Sequence, residues 1–100
     1  MKNEKINITP GVCLFNSDDN KNQIIEINIP GVKKKDIELR MQDYSYTLKA
    51  SRGDVEYRLA DVLCCPVNSK DAKAEYKDGL LVIKVPYKDL YEDAVKIKIA

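Results

Sequence analysis

The 100-residue chain contains no histidine and no tryptophan. Losing histidine removes the commonest general base near neutral pH and the commonest metal ligand together. Neither a glycine-rich phosphate loop nor a nucleophile elbow occurs. Carboxylates are plentiful (Asp18, Asp19, Asp36, Glu38, Asp78, Glu92, Asp93), but they fall in turns or on solvent faces. No apolar pocket is expected to pair them and shift a pKa. The chain is therefore not read as an enzyme, and no catalytic residue, cofactor or metal is assigned. Long apolar runs are also missing, which excludes a membrane-spanning helix. The start, "MKNEKINITP", has no apolar stretch of the kind a secretory signal needs. Nor does either charge dominate: 17 Lys and Arg face 16 Asp and Glu, a net +1, so no field favours nucleic acid or an anionic membrane. Three cysteines, two of them adjacent, make a poor disulfide framework and fit a reducing cytoplasm.

What the chain does have is apolar alternation of period two, repeated along its length. Ile25, Ile27 and Ile29 line one face, as do Ile37, Leu39 and Met41, then Tyr46, Leu48 and Ala50, then Val55, Tyr57 and Leu59. "LLVIKV" at 80–85 is nearly continuous, as for a central strand covered on both faces. Val95, Ile97 and Ile99 repeat the alternation at the end. Polar turn signals separate these runs: "NSDDNKN", "PGVKKKD", "QDYS", "RGD", "PVNSKD" and "KDG". One domain is expected, an all-β, immunoglobulin-like antiparallel β-sandwich. Its parts are a short N-terminal arm (1–11), the sandwich (12–86), and a linker with tail (87–100). Within the linker, Tyr87, Leu90, Tyr91 and Ala94 fall at helical spacing behind Pro86, so this stretch is either a short helical turn or an extended link.

Particular stretches carry both a sharper and a plainer reading. Pro30 cannot donate to a ladder and Gly31 can take a positive φ, so a strand must end there, and the strands on either side are expected to lie in different sheets. "RGD" at 52–54 reads as a hairpin turn rather than an adhesion tripeptide. Cys64-Cys65 reads as two small buried apolar residues rather than a reactive or metal-binding pair, since no further ligand lies nearby in sequence. Tyr46, Tyr57 and Tyr76 sit at core-periodic positions and read as packing, not as a stacking platform for nucleic acid.

Taken in order, "INIPGVKKKDIEL", "YTLKAS", "AKAEYKDGLLVIKVP" and the final "IKI" resemble the small heat shock protein, or α-crystallin (Hsp20), family. The family's Pro-Gly-Val with Asp-Ile matches Pro30, Gly31, Val32, Asp36 and Ile37. Its Ala-x-Tyr-x-Asp-Gly-x-Leu matches Ala74, Tyr76, Asp78, Gly79 and Leu81, its Val-Pro matches Val85 and Pro86, and its Ile-x-Ile matches Ile97 and Ile99. The resemblance implies an ATP-independent chaperone that holds exposed apolar segments of partly unfolded proteins. It also implies a groove, here Ile37, Leu39, Met41, Ala72 and Ala74, that receives a client segment or the Ile97/Ile99 motif of a neighbouring subunit. Ala72 stands where the family usually has a larger aliphatic, which implies a wider or shallower groove.

Two isoleucines one residue apart on a strand project to the same side, and burying both contributes roughly 3–5 kcal/mol before ordering costs. Pro86 to Lys96 spans up to about 36 Å when extended, enough to reach another subunit. Alternatively, 95–99 folds back as a strand on its own domain. The family's strand-swap excursion is absent, since only Arg52, Gly53 and Asp54 connect the two runs. A dimer or small oligomer is therefore expected to use the tail or the edge carrying Val55, Tyr57 and Leu59. With about a dozen residues before Val12, large shells are not expected, unless a longer arm is missing from this chain. The rival reading is a p23/CS-like adaptor that binds one folded partner. The short arm and missing excursion favour it, while the Pro-Gly-Val and Ile-x-Ile elements and the lack of tryptophan count against it.

Overall fold

The computed structural model describes residues 5–89 and 94–100. Among these residues eight strands form two sheets: β1 (Ile6–Ile8), β2 (Gly11–Asn16), β3 (Asn22–Asn28), β4 (Ile37–Gln42), β5 (Ser45–Arg52), β6 (Val55–Val62), β7 (Lys73–Lys77) and β8 (Leu80–Pro86). One sheet has the order β1-β6-β5-β4 and the other β2-β3-β8-β7. All pairings are antiparallel except β1 with β6, which is parallel. The inward faces supply the core. Ile25, Ile27 and Ile29 from one sheet meet Tyr46, Leu48, Ala50 and Tyr57 from the other, with Ile83 and Val85 completing the layer. The expected β-sandwich is the observed architecture.

Hairpin chemistry sets the registers. Gly53-Asp54 closes β5 onto β6, pairing Arg52 with Val55, and Asp78-Gly79 closes β7 onto β8, pairing Lys77 with Leu80. Asp78 and Gly79 both have positive φ, at 52° and 85°, as a two-residue loop that follows the strand twist requires. Arg52 of the "RGD" turn does not point away: its guanidinium donates to the Tyr57 hydroxyl at 3.3 Å and lies over the Tyr57 ring.

Within the 1–11 arm, Ile6–Ile8 adds a strand to β6. Two expectations are corrected. The run at 80–85 is central in its sheet but covered on one face only: Leu81, Ile83 and Val85 are buried while Leu80 and Val82 are half-buried outside. Cys64 and Cys65 are exposed rather than buried. Of the stretch considered for a helical turn behind Pro86, residues 90–93 lie outside the described residues, and 87–89 and 94–95 are not helical.

Between β3 and β4 the chain leaves one sheet for the other, through Pro30, Gly31 and a 3-10 turn at Lys34–Asp36. This crossover is clasped from β7–β8. The Tyr76 hydroxyl lies 3.0 Å from the Ile29 carbonyl and 2.7 Å from the Val32 carbonyl, sharing its proton between them. The Ile29 N–H donates to the Gly79 carbonyl at 2.8 Å. A side chain on Gly79 would stand 3.0 Å from the Pro30 Cα, so the two glycine turns are in backbone contact. Gly79→Ala combines that clash with a left-handed φ, and is expected to cost about 1–3 kcal/mol. Gly11→Ala, with nothing within 4 Å of its added carbon, is expected to stay within about 0.5 kcal/mol of wild type. Tyr76→Phe should cost about 1 kcal/mol. Urea titration orders the three; equal midpoints for Gly79→Ala and Gly11→Ala would remove the clasp from the account.

Candidate functional site

β4 and β7 are each the last strand of their sheet, and they end on the same side of the sandwich. Between them lies a groove of about 220 Å³ lined by Leu39, Met41, Ser69, Ala72, Lys73, Ala74 and Ile83. Leu39 and Met41 face inward along β4 but stay half-buried, because no strand covers them on the open side. Ile83, fully buried on β8, forms the floor; it pairs with Ala74 across the hairpin and so shares its face. Opposite Leu39 and Met41 the wall is built from alanines, and their small side chains leave the space that makes the groove.

Four of the five groove residues taken from the sequence, Leu39, Met41, Ala72 and Ala74, come together here. Ile37 does not: it borders a separate recess with Lys35, Asp36, Glu38, Lys49 and Ser51. Ile37 sits where the crossover enters β4, the end at which Tyr76 draws residues 29–32 against the opposite sheet. Ser69, Lys73 and Ile83 were missed. Ile83 was within reach, since an Asp78-Gly79 loop places it opposite Ala74 by counting back along the hairpin. Ser69 carried no such signal.

A second clasp stands at the Ser69 end. Asp43, in the β4–β5 turn, accepts from the Ser69 hydroxyl at 2.7 Å and the Ser69 backbone N–H at 3.1 Å. Lys88, just beyond β8, approaches the same carboxylate at 3.4 Å. The Ser69 hydroxyl and N–H, with Lys88 adding attraction, hold the Asp43 carboxyl below the usual carboxylate range. The root of the tail is fixed here too: Asn68 N–H donates to the Pro86 carbonyl at 2.9 Å, and Lys88 N–H to the Pro66 carbonyl at 3.0 Å.

Beyond this root the tail offers apolar side chains to solvent. Val95 is 78% exposed, Ile97 74% and Ile99 90%, and residues 94–100 form no strand on the sandwich. The edge expected at Val55, Tyr57 and Leu59 is only partly open. β1 pairs Ile6 with Val55 and Ile8 with Tyr57, so those two residues do not present a free edge, whereas Leu59 lies past that pairing. Glu56 on the outer face is nearly buried among cations: Arg58 donates to it at 2.6 Å and Lys49 stands at 3.8 Å. No group of three His, Cys, Asp or Glu among the described residues has the arrangement to hold a metal ion. No helix among them is long and apolar enough to cross a membrane.

The lowered Asp43 pKa fixes the sign of an acid response. The clasp's contribution is fully present above the unfolded carboxylate value, near pH 4, and is lost as pH falls through the lower folded value. The Asp43→Asn protein should therefore lose less of its urea midpoint between pH 7 and pH 3 than the wild type does. Equal losses would mean that Asp43 is not ion-paired or bonded in solution as described.

No protein-family model matches the sequence, and no curated protein matches it significantly. Solved structures do match by shape. Heat shock protein 16.0 from Schizosaccharomyces pombe superposes with a TM-score of 0.72 at 14% identity, covering 93% of this chain and 84% of that one. A small heat-shock protein from Xylella fastidiosa gives 0.70 at 16% identity, covering 93% and 97%. HSP18.5 from E. histolytica gives 0.70 at 18% identity, covering 92% and 99%. The chain thus has the α-crystallin (Hsp20) fold of the small heat shock proteins.

Proposed function

We propose that this protein is an ATP-independent chaperone of the small heat shock type, a holdase that binds exposed apolar segments of partly unfolded proteins. It acts by seating extended apolar segments in the β4–β7 groove and along strand edges, with no chemical step and no cofactor. The observation that carries this reading is the coexistence, in one chain, of an unfilled groove walled by Leu39, Met41, Ala72 and Ala74 and a pair of exposed isoleucines at i and i+2. A segment carrying two such side chains on one side has the shape the groove takes, whether it belongs to a client or to a second copy. Exposed aliphatics without a partner forfeit roughly 1.5–3 kcal/mol each relative to burial, which gives docking its driving force.

Self-association through Ile97 and Ile99 is part of the same reading, in keeping with the Xylella fastidiosa protein, whose structure has a distinct high order arrangement. Three free thiols fit a reducing compartment, so we place the protein in the cytoplasm. An adaptor that binds one folded partner is the rival. The matched structures are small heat shock proteins, which favours the chaperone.

Two measurements test the reading. The solution mass of the chain should exceed that of a monomer and fall when residues 95–100 are deleted. Replacing either isoleucine by alanine should weaken association by about 1–2 kcal/mol, roughly tenfold in Kd. In light scattering, the protein should suppress heat aggregation of a model client, and Ala74→Arg, at an exposed groove position, should reduce that suppression. A strict monomer with no suppression at equimolar ratio would instead favour the adaptor.

A further inference from the structure

The link from β6 to the 3-10 turn at Ser69–Asp71 holds the chain's vicinal cysteines in an unusual way. Leu63 and Val67 are both buried, and their N–H groups donate to the Tyr44 carbonyl at 2.8 Å and the Asp43 carbonyl at 2.9 Å. The Pro66 carbonyl accepts from Lys88, and Val67 pairs with Tyr87. Cys64 and Cys65 lie between these anchors, both exposed, with their sulfur atoms 3.5 Å apart. The fold thus presents two thiols side by side on a backbone fixed at both ends.

We propose that Cys64 and Cys65 form a bidentate dithiol site for a thiophilic centre that needs only two sulfur ligands, of the monosubstituted trivalent arsenical class. Distance selects the ligand. Two thiolates on one tetrahedral centre with bonds of about 2.3 Å stand roughly 3.8 Å apart. A pyramidal centre with narrower angles draws them slightly closer, to the spacing already present. A disulfide, at about 2.05 Å, requires the sulfurs to close by about 1.5 Å across a single peptide unit. A metal ion would need third and fourth ligands, and the described residues offer no such set. The thiol of Cys65 is held above its ordinary value by its hydrogen bond to Cys64 and by the charge there. The step balances without an oxidant: two arsenic–oxygen bonds of R–As(OH)2 break, two arsenic–sulfur bonds form, and each oxygen leaves with one thiol proton as water. Neither sulfur nor arsenic changes oxidation state.

Phenylarsine oxide added to the intact chain tests this. A 1:1 adduct by native mass spectrometry is expected, with thiols reactive to Ellman's reagent falling from three to one, Cys13 alone remaining. Cys64→Ser and Cys65→Ser should each weaken binding by about 10²–10⁴-fold, the chelate advantage of a second sulfur, while Cys13→Ser leaves it unchanged. The chain unfolded in urea should bind at least about tenfold more weakly, because it lacks the fixed spacing. Equal binding by either single variant, or by the unfolded chain, would overturn the proposal. Displacement of the arsenical by equimolar Zn²⁺ would overturn it too, in favour of a metal site.

Discussion

The fold depends on one crossing, the point where the chain passes from the β3 sheet to the β4 sheet over residues 29–36. Interdigitated side chains of the two inner faces resist sliding, but apolar packing is not directional. Here the offset is fixed by directional contacts. Tyr76 reaches across to two carbonyls of the crossover, Gly79 lies against Pro30, and Arg52 lies against Gly31, where an added carbon would meet its side chain at 2.8 Å. Three separate sequence elements, "PGV", "YKDG" and the arginine of "RGD", thus converge on a single knot. Each glycine is needed for its positive φ and for the space that a side chain would take.

Fixing the offset also fixes the groove. β4 follows directly from the crossover, and β7 carries the tyrosine that clasps it, so the separation of the two edge strands is set at that end by the Tyr76 hydroxyl. Asp43 and Ser69 set it at the other end. Between the clasps β4 and β7 belong to different sheets and do not pair, and Ala72 and Ala74 leave a trough over Ile83. Polar and charged outer residues, Glu38 and Arg40 on β4 and Lys73 and Glu75 on β7, discourage two such edges from pairing indiscriminately. The apolar floor and walls stay reachable to a segment that enters lengthwise.

Much of this was legible in the sequence, because period-two patterning names the inward face directly. Ile25, Ile27, Ile29, Tyr46, Leu48 and Ala50 alternate strictly, and all are buried. The groove walls were legible only through the family resemblance, since Leu39 and Met41 alternate like any core pair and nothing local says that their partner strand is missing. Three features were not legible for definite reasons. "INI" at 6–8 is short and sits among polar residues, so its parallel pairing with β6 depends on long-range contact rather than on pattern. "LLVIKV" looked covered on both faces because composition does not distinguish a central position in a sheet from burial under a second layer. The cysteines looked like core because their type usually is, whereas their placement follows from backbone anchors at Leu63 and Val67 that no side-chain periodicity encodes.

The position of the tail root bears on how such a molecule would associate. Asp43 touches both Ser69, which lines the groove, and Lys88, from which the tail departs. The nine residues from Lys88 to Lys96 span up to about 30 Å extended, so length alone does not keep the isoleucines from their own groove. A tethered ligand of that reach competes at an effective concentration near millimolar. Docking between subunits at micromolar concentration therefore requires a cost on the intramolecular route. On the proposed reading that cost is entropic, since a tail docking on its own domain must order the residues between its root and Ile97. By either route the apolar area that drives docking is that of Ile97 and Ile99, 74% and 90% exposed in the single chain.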